Sequence, residues 1–210
     1  PGDAALPLML KFNRELERFF KVVIWEQRGT GKSYYPFIKG HSVTIETFVE
    51  DLHQLTIYLL KRFNCQKIFL VGHSWGSVLG LHFIQEHPEY IHTYIGCGQV
   101  VNMKKSCQIA YNYALEHAGK REKCKLEKID CSYSGDNWLH DLLFVTKQVV
   151  RHKGSLYGNQ NYNKLIVPFL LSKYYTIEDL INRQKGSLQS IRFLWQELML
   201  TDFEGITQFD

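Results

Sequence analysis

Between Thr44 and Phe63 the apolar residues Ile45, Phe48, Val49, Leu52, Leu55, Leu59 and Phe63 return every three or four positions, with acidic and polar residues on the other face. That period predicts an amphipathic helix with one buried stripe. On either side the pattern shortens. Val22–Trp25 and Lys67–Val71 are brief apolar runs of strand length, which predicts buried strands, and Tyr90–Gly96 returns as a third. Between the last two, Val78, Leu79, Leu81, Phe83 and Ile84 predict a helix that stops near His87-Pro88. A looser helical spacing from Leu8 to Phe20 precedes the first strand. Strands alternating with helices imply a parallel α/β core.

From about Val100 the character changes. Helical periods cover Met103–His117, Trp138–His152, Thr176–Arg183 and Leu188–Leu200, and Thr176 with Asp179 reads as an N-cap and its acidic partner. Gly154–Asn163 is a polar loop between such helices. The expected division is a partial α/β core over 1–99, an inserted helical cap over 100–205, and the start of a return to the core over 206–210.

Composition narrows the class without naming it. The chain has 210 residues, 45% hydrophobic and 22% charged, which is the profile of a globular protein and not of a disordered one. Its net charge of +4 is scattered, apart from the mixed run Lys120–Lys125. A nucleic-acid surface calls for a coherent basic stripe, so no nucleic-acid partner is expected and the run reads as a solvated helix or loop face. No apolar run is long enough to span a bilayer, so no membrane partner is expected. Cys65, Cys97, Cys107, Cys124 and Cys131 include no CxxC pair. They read as reduced thiols, which points to the cytoplasm. The acidic and histidine residues show no metal-ligand spacing such as HExxH, so neither metal nor cofactor is implied.

The chemistry concentrates at Gly72-His73-Ser74-Trp75-Gly76. A serine hydroxyl attacks an acyl carbon only if it projects into open space and a base removes its proton. The G-x-S-x-G pattern meets the first need on a strained strand-to-helix turn, with glycines two residues either side removing side chains that would collide. Here an apolar strand precedes the pattern and an amphipathic helix follows it. Ser74 is therefore the candidate nucleophile. The Trp75 backbone N–H, at the first turn of the helix, is the candidate oxyanion donor, a kind of group that contributes roughly 3 kcal/mol to such reactions. The Trp75 indole reads as packing or pocket wall, and strand alternation turns His73 away. Gly29-Thr30-Gly31-Lys32-Ser33 imitates the end of a P-loop, but Glu26 stands where the first glycine is required and Tyr34-Tyr35-Pro36 where a helix should begin, so nucleotide binding is not expected.

Glu26-Gln27-Arg28-Gly29-Thr30-Gly31-Lys32-Ser33, followed by Gly72-His73-Ser74-Trp75-Gly76-Ser77 and then a helical segment, resembles the proline iminopeptidase (prolyl aminopeptidase) family of α/β hydrolases. The chain departs from the family pattern at Glu26 and His73. The resemblance implies an α/β-hydrolase fold with a helical cap inserted in a mainly parallel sheet, and core strands still to come after the cap. It also implies an upstream His-Gly-Gly-Pro-Gly, of which Pro1-Gly2 looks like the tail. The triad order Ser, Asp or Glu, His places the acid and base on later loops, expected beyond residue 210, with the stretch 1–210 inactive alone.

Three functions remain open at this point. The first is an aminopeptidase acting through an acyl-enzyme on Ser74, with Glu197 or Glu178 holding the substrate amine. The second is a carboxylesterase or other acyl hydrolase whose ester would be enclosed by Trp138, Phe144, Phe169 and Trp195. The third, of another class, is a binding protein that kept the fold and lost catalysis.

Overall fold

A computed structural model describes residues 2–38, 40 and 42–205. The expected return to the core over 206–210, and Pro1 of the suspected upstream motif, lie outside the described residues. The chain divides into two compact units, Pro1–Asn102 with Tyr174–Asp210, and Met103–Lys173.

The first unit holds α1 (Leu6–Phe12), α2 (Ile45–Phe63), β1 (Ile68–His73), α3 (Trp75–Glu86), β2 (Ile91–Cys97) and α8 (Ile177–Met199). Helix α2 begins where Thr44 and Thr47 exchange bonds in a capping box, and ends where Asn64 adopts φ 49°, the left-handed conformation that asparagine tolerates. Its stripe buries Ile45, Phe48, Val49 and Leu52, and fades to an exposed Phe63. Strands β1 and β2 pair in parallel with Leu70 opposite Tyr94 and His73 opposite Cys97. Helix α3 crosses between them and packs closely, because a Cβ on Gly80 would stand 2.4 Å from the Tyr94 ring. The other sheet face, carrying Phe69, Val71 and Ile95, stays exposed among the described residues.

Three expectations change. Val22–Trp25, expected as a strand, joins no ladder: the sheet of described residues contains β1 and β2 only. Apolar content creates a tendency to extend, but a neighbouring edge makes the strand. Leu8–Phe20 divides at Asn13 into α1 and a 3₁₀ turn, Arg14–Arg18. The periods at 176–183 and 188–200 belong to one helix, α8, which runs through Gly186. This glycine permits close approach: a Cβ there would meet the Gly29 carbonyl oxygen at 2.3 Å and Thr30 Cα at 2.6 Å.

The second unit contains α4 (Met103–His117), α5 (Lys120–Leu126), α6 (Trp138–Arg151) and α7 (Asn163–Leu170). The mixed charged run forms α5, anchored by the fully buried Leu126, whose carbonyl accepts from the Tyr111 hydroxyl. The Tyr113 hydroxyl donates to the His152 carbonyl at 2.8 Å, joining α4 to the end of α6. Helix α7 was not signalled by the sequence pattern. Met103–Lys173 packs as a compact unit of its own, and α8 packs within the first unit.

Candidate active site

β1 delivers the chain to Gly72 and His73, and Ser74 breaks the strand. Its φ of 52° and ψ of −114° fit neither strand nor helix, and α3 starts at the next residue. A non-glycine residue in so sparse a region stores on the order of 1–3 kcal/mol and persists only where its surroundings fix it. Ser74 is nonetheless exposed, unlike Trp75 on one side of it.

The flanking glycines divide the labour unequally. A Cβ on the buried Gly72 would stand 2.5 Å from the Gly76 carbonyl oxygen and 2.9 Å from Ser77 Cα, so the approach of strand to helix requires its absence. A Cβ on Gly76 would meet nothing within 4 Å. The expected collision is therefore real at the first glycine and absent at the second.

A set of polar bonds holds the turn. Ser74 donates its N–H to the Cys97 carbonyl at 2.9 Å, tying the junction to the end of β2. Its carbonyl accepts from the Ser77 N–H at 2.9 Å and from Ser77 Oγ at 2.5 Å. Ser77 Oγ in turn accepts from the Val100 N–H at 3.0 Å, while the Ser77 carbonyl accepts from Gln99 Nε2 at 3.2 Å and the Tyr94 hydroxyl donates to Gln99 Oε1 at 2.7 Å. Burial of its ring pushes the Tyr94 phenol up to about 12, which keeps it a donor throughout the physiological range.

The Trp75 N–H is the first of α3, where an α-helix leaves its amides without an intrahelical acceptor. Its indole is buried against Phe48 and donates to Gln27 Oε1 at 2.7 Å, so it packs. His73 is exposed at the strand end, on the side of Phe69 and Val71.

The Glu26–Ser33 loop is bound to α8. Glu26 accepts from the Lys32 N–H at 2.8 Å and from the Tyr175 hydroxyl, whose ionisation burial and this carboxylate push far up. Gln189 Nε2 donates to the carbonyls of Gly29 and Tyr35, and Lys32 Nζ pairs with Asp179 at 2.9 Å. Arg28 forms a two-pronged ion pair with Asp51 of α2, which raises the guanidinium pKa further. Gly31 and Ser33 form a short 3₁₀ turn followed by extended Tyr34.

Of the two carboxylates expected to hold an amine, Glu197 accepts from the Ile45 N–H at 2.8 Å and so caps the start of α2, whereas Glu178 is exposed in the first turn of α8. Of the four aromatics expected around an ester, Trp195 is buried in the first unit, while Trp138, Phe144 and a buried Phe169 belong to the second. No group of three or more His, Cys, Asp or Glu side chains suited to a metal ion occurs among the described residues. Nor is any described helix long and apolar enough to cross a membrane. Sequence reasoning missed Ser77, Gln99 and Tyr94, whose contribution depends on hydrogen bonds across the β2 exit that no local pattern signals.

A parallel strand–helix–strand unit with an exposed, strained serine at the strand-to-helix junction is an arrangement that the α/β-hydrolase fold contains. The family model described as serine aminopeptidase, S33, matches residues 13–156, and the chain belongs to that family. It is similar to the probable aminopeptidase YbaC of Bacillus subtilis (strain 168), at 37% identity over 142 residues, 68% of this chain and 45% of the relative. It is also similar to a probable proline iminopeptidase of Leptolyngbya boryana, at 30% identity over 42% of this chain and 26% of the relative. A third is the proline iminopeptidase of Neisseria gonorrhoeae, at 34% identity over 43% of this chain and 27% of the relative. The matches thus span under half the length of these relatives.

Proposed function

We propose that Ser74 is the nucleophile of a serine aminopeptidase of proline iminopeptidase type, which releases N-terminal residues from small peptides. The observation that carries this reading is the exposed Ser74 at φ 52° between β1 and α3. In the proposed reaction a base takes the Ser74 proton as Oγ bonds to the substrate carbonyl carbon, and the Trp75 N–H donates to the oxygen that becomes negative. Collapse of the tetrahedral intermediate breaks the C–N bond, the amine leaves with a proton, and water hydrolyses the acyl-enzyme. Neither base nor acid is assigned to a described residue. The helical unit Met103–Lys173 is proposed as a cap, and its compactness as a unit of its own supports that role. The odd, dispersed set of five cysteines, with no CxxC pair, supports a reducing, cytoplasmic setting.

The substrate class rests on the named relatives, two of them proline iminopeptidases and one a probable aminopeptidase. Turnover of a proline arylamide by the intact protein, abolished in Ser74→Ala, is the expected result. Turnover of short acyl esters without arylamide cleavage would replace the peptidase by an esterase. A protein that a fluorophosphonate fails to label at Ser74 would be a binding protein on this fold.

A further inference from the structure

Ser74 is held from outside its own helix at both of its backbone groups. Its N–H reaches the Cys97 carbonyl at 2.9 Å, and its carbonyl reaches Val100 through one intermediary, the Ser77 hydroxyl, which donates to the Ser74 oxygen at 2.5 Å and accepts from the Val100 N–H at 3.0 Å. A hydroxyl has one proton, and here it is committed: the Val100 N–H supplies the bond that Ser77 Oγ accepts, so the Oγ proton goes to Ser74. Ser77 is fully buried, and water does not compete for either bond.

The Ser74 carbonyl and the Trp75 N–H belong to a single planar peptide unit, in which the two groups point in opposite directions. Whatever fixes the carbonyl therefore fixes the N–H. The Ser77 N–H bond to the same oxygen is an ordinary turn bond within the start of α3, and it moves with that helix. The hydroxyl bond is different in kind, because it refers the peptide plane to the segment leaving β2. That segment is itself braced, since Gln99 Nε2 donates to the Ser77 carbonyl at 3.2 Å and the Tyr94 hydroxyl donates to Gln99 Oε1 at 2.7 Å.

We infer that the Ser77 hydroxyl is a positioning residue for acyl transfer, setting the direction of the Trp75 N–H by clamping the Ser74 carbonyl to the β2 exit. The inference rests on Ser74 being the nucleophile. Preorganised donors lose their effect when they point away from the developing charge, even if the fold survives. Ser77 touches neither substrate nor the reacting atoms, and its action is on the peptide that does.

The test measures the rate of Ser74 modification by a fluorophosphonate, and kcat and KM for a proline arylamide, in intact wild type, Ser74→Ala, Ser77→Ala and Ser77→Thr. Thermal melts identify a temperature at which all are folded. The expected result is labelling and kcat slower by about tenfold in Ser77→Ala at little-changed KM, with Ser77→Thr, which keeps the hydroxyl, within about threefold of wild type. Ser77→Cys, with a weaker donor in nearly the same volume, falls between them and replaces Ser77→Ala if that variant does not fold. Wild-type labelling rates in folded Ser77→Ala or, in its place, Ser77→Cys would overturn the inference while leaving the nucleophile intact. So would a loss that a folded Ser77→Thr fails to restore. Absence of any label in wild type that Ser74→Ala removes would instead overturn the nucleophile, and the inference with it.

Discussion

The indole of Trp75 donates through Nε1 to Oε1 of Gln27 at 2.7 Å, with both side chains buried. The bond joins the loop after the Val22–Trp25 segment to the first residue of α3, two places 48 residues apart in the chain. Phe48 of α2 meets the same indole edge-on, with ring centroids 5.9 Å apart. Gly2 lies against the other end of the Gln27 amide: a Cβ there would stand 2.1 Å from Gln27 Nε2. Gly2 and Trp75 thus meet around one amide beside the candidate oxyanion donor.

Gln27→Leu leaves the Trp75 indole N–H buried without an acceptor, for which a loss of about 1–3 kcal/mol is expected. Trp75→Phe removes the donor, and the double variant should lose less than the two single losses added, because the orphaned group is gone. Guanidinium unfolding of all four proteins measures this, and strict additivity would mean the bond contributes nothing.

Alanine at the two elbow glycines should have opposite effects. At Gly72 the new methyl would enter the backbone of Gly76 and Ser77 at 2.5–2.9 Å, where no flexible side-chain end can yield. A destabilisation of about 1–3 kcal/mol is expected from such overpacking. At Gly76 the methyl finds open space within the first turn of α3, and alanine should be neutral or stabilising by up to about 1 kcal/mol. Thermal melts that rank the two variants the other way would show that the elbow is not packed as described.

The parts of the fold legible in the sequence were those with local causes. Helix α2 could be read because its apolar period is written within consecutive positions, and β1 to α3 because strand, glycine and serine stand side by side. The start of α8 was legible from Thr176 and Asp179 for the same reason. Its continuity was not, because Gly186 reads locally as an interruption and only its contact with Gly29 and Thr30 explains it. Val22–Trp25 misled in the reverse sense, since its apolar content is local while pairing requires an edge elsewhere. At the candidate site, Ser74 and Trp75 were named from the motif. Gln27 stood in a motif without a discernible task, and Ser77 acquired one only when β2 brought Val100 back beside it. Glu197 accepts the first amide of α2 through one carboxylate oxygen, a contact across 152 residues that its residue type alone does not signal.

Cysteine chemistry should separate the buried thiol from the exposed ones. Cys107 is 4% exposed, and burial pushes its thiol up to about 11, assisted by the nearby Cys131. The thiolate is the reactive form, so at pH 8 Cys107 should remain protonated and resist alkylation, while Cys65, Cys97 and Cys124 are exposed and open to reagent. Iodoacetamide labelling followed by peptide mass spectrometry should find Cys107 modified last, with its rate still rising above pH 9. Early modification of Cys107 in folded protein would contradict its burial on α4.

The capping box of α8 gives a stability that depends on pH. Asp179 Oδ2 accepts from the Thr176 N–H at 2.8 Å and pairs with Lys32 at 2.9 Å, so first the backbone bond and then the lysine hold its carboxyl below the usual 3.8. A carboxyl with a lowered folded pKa stabilises the fold in full above its unfolded value, and that contribution is lost as the pH falls through the folded one. Asp179→Ala should therefore be less stable than wild type at pH 7, and the gap should narrow as the pH falls below about 3.8. Thr176→Ala removes the other half of the box, at a cost of about 1 kcal/mol that comes from a neutral hydroxyl and so persists when Asp179 is protonated. Urea unfolding of the three proteins at pH 7 and pH 3 distinguishes the two contributions. A gap for Asp179→Ala that is the same at both values would mean that the carboxylate charge does nothing for the start of α8.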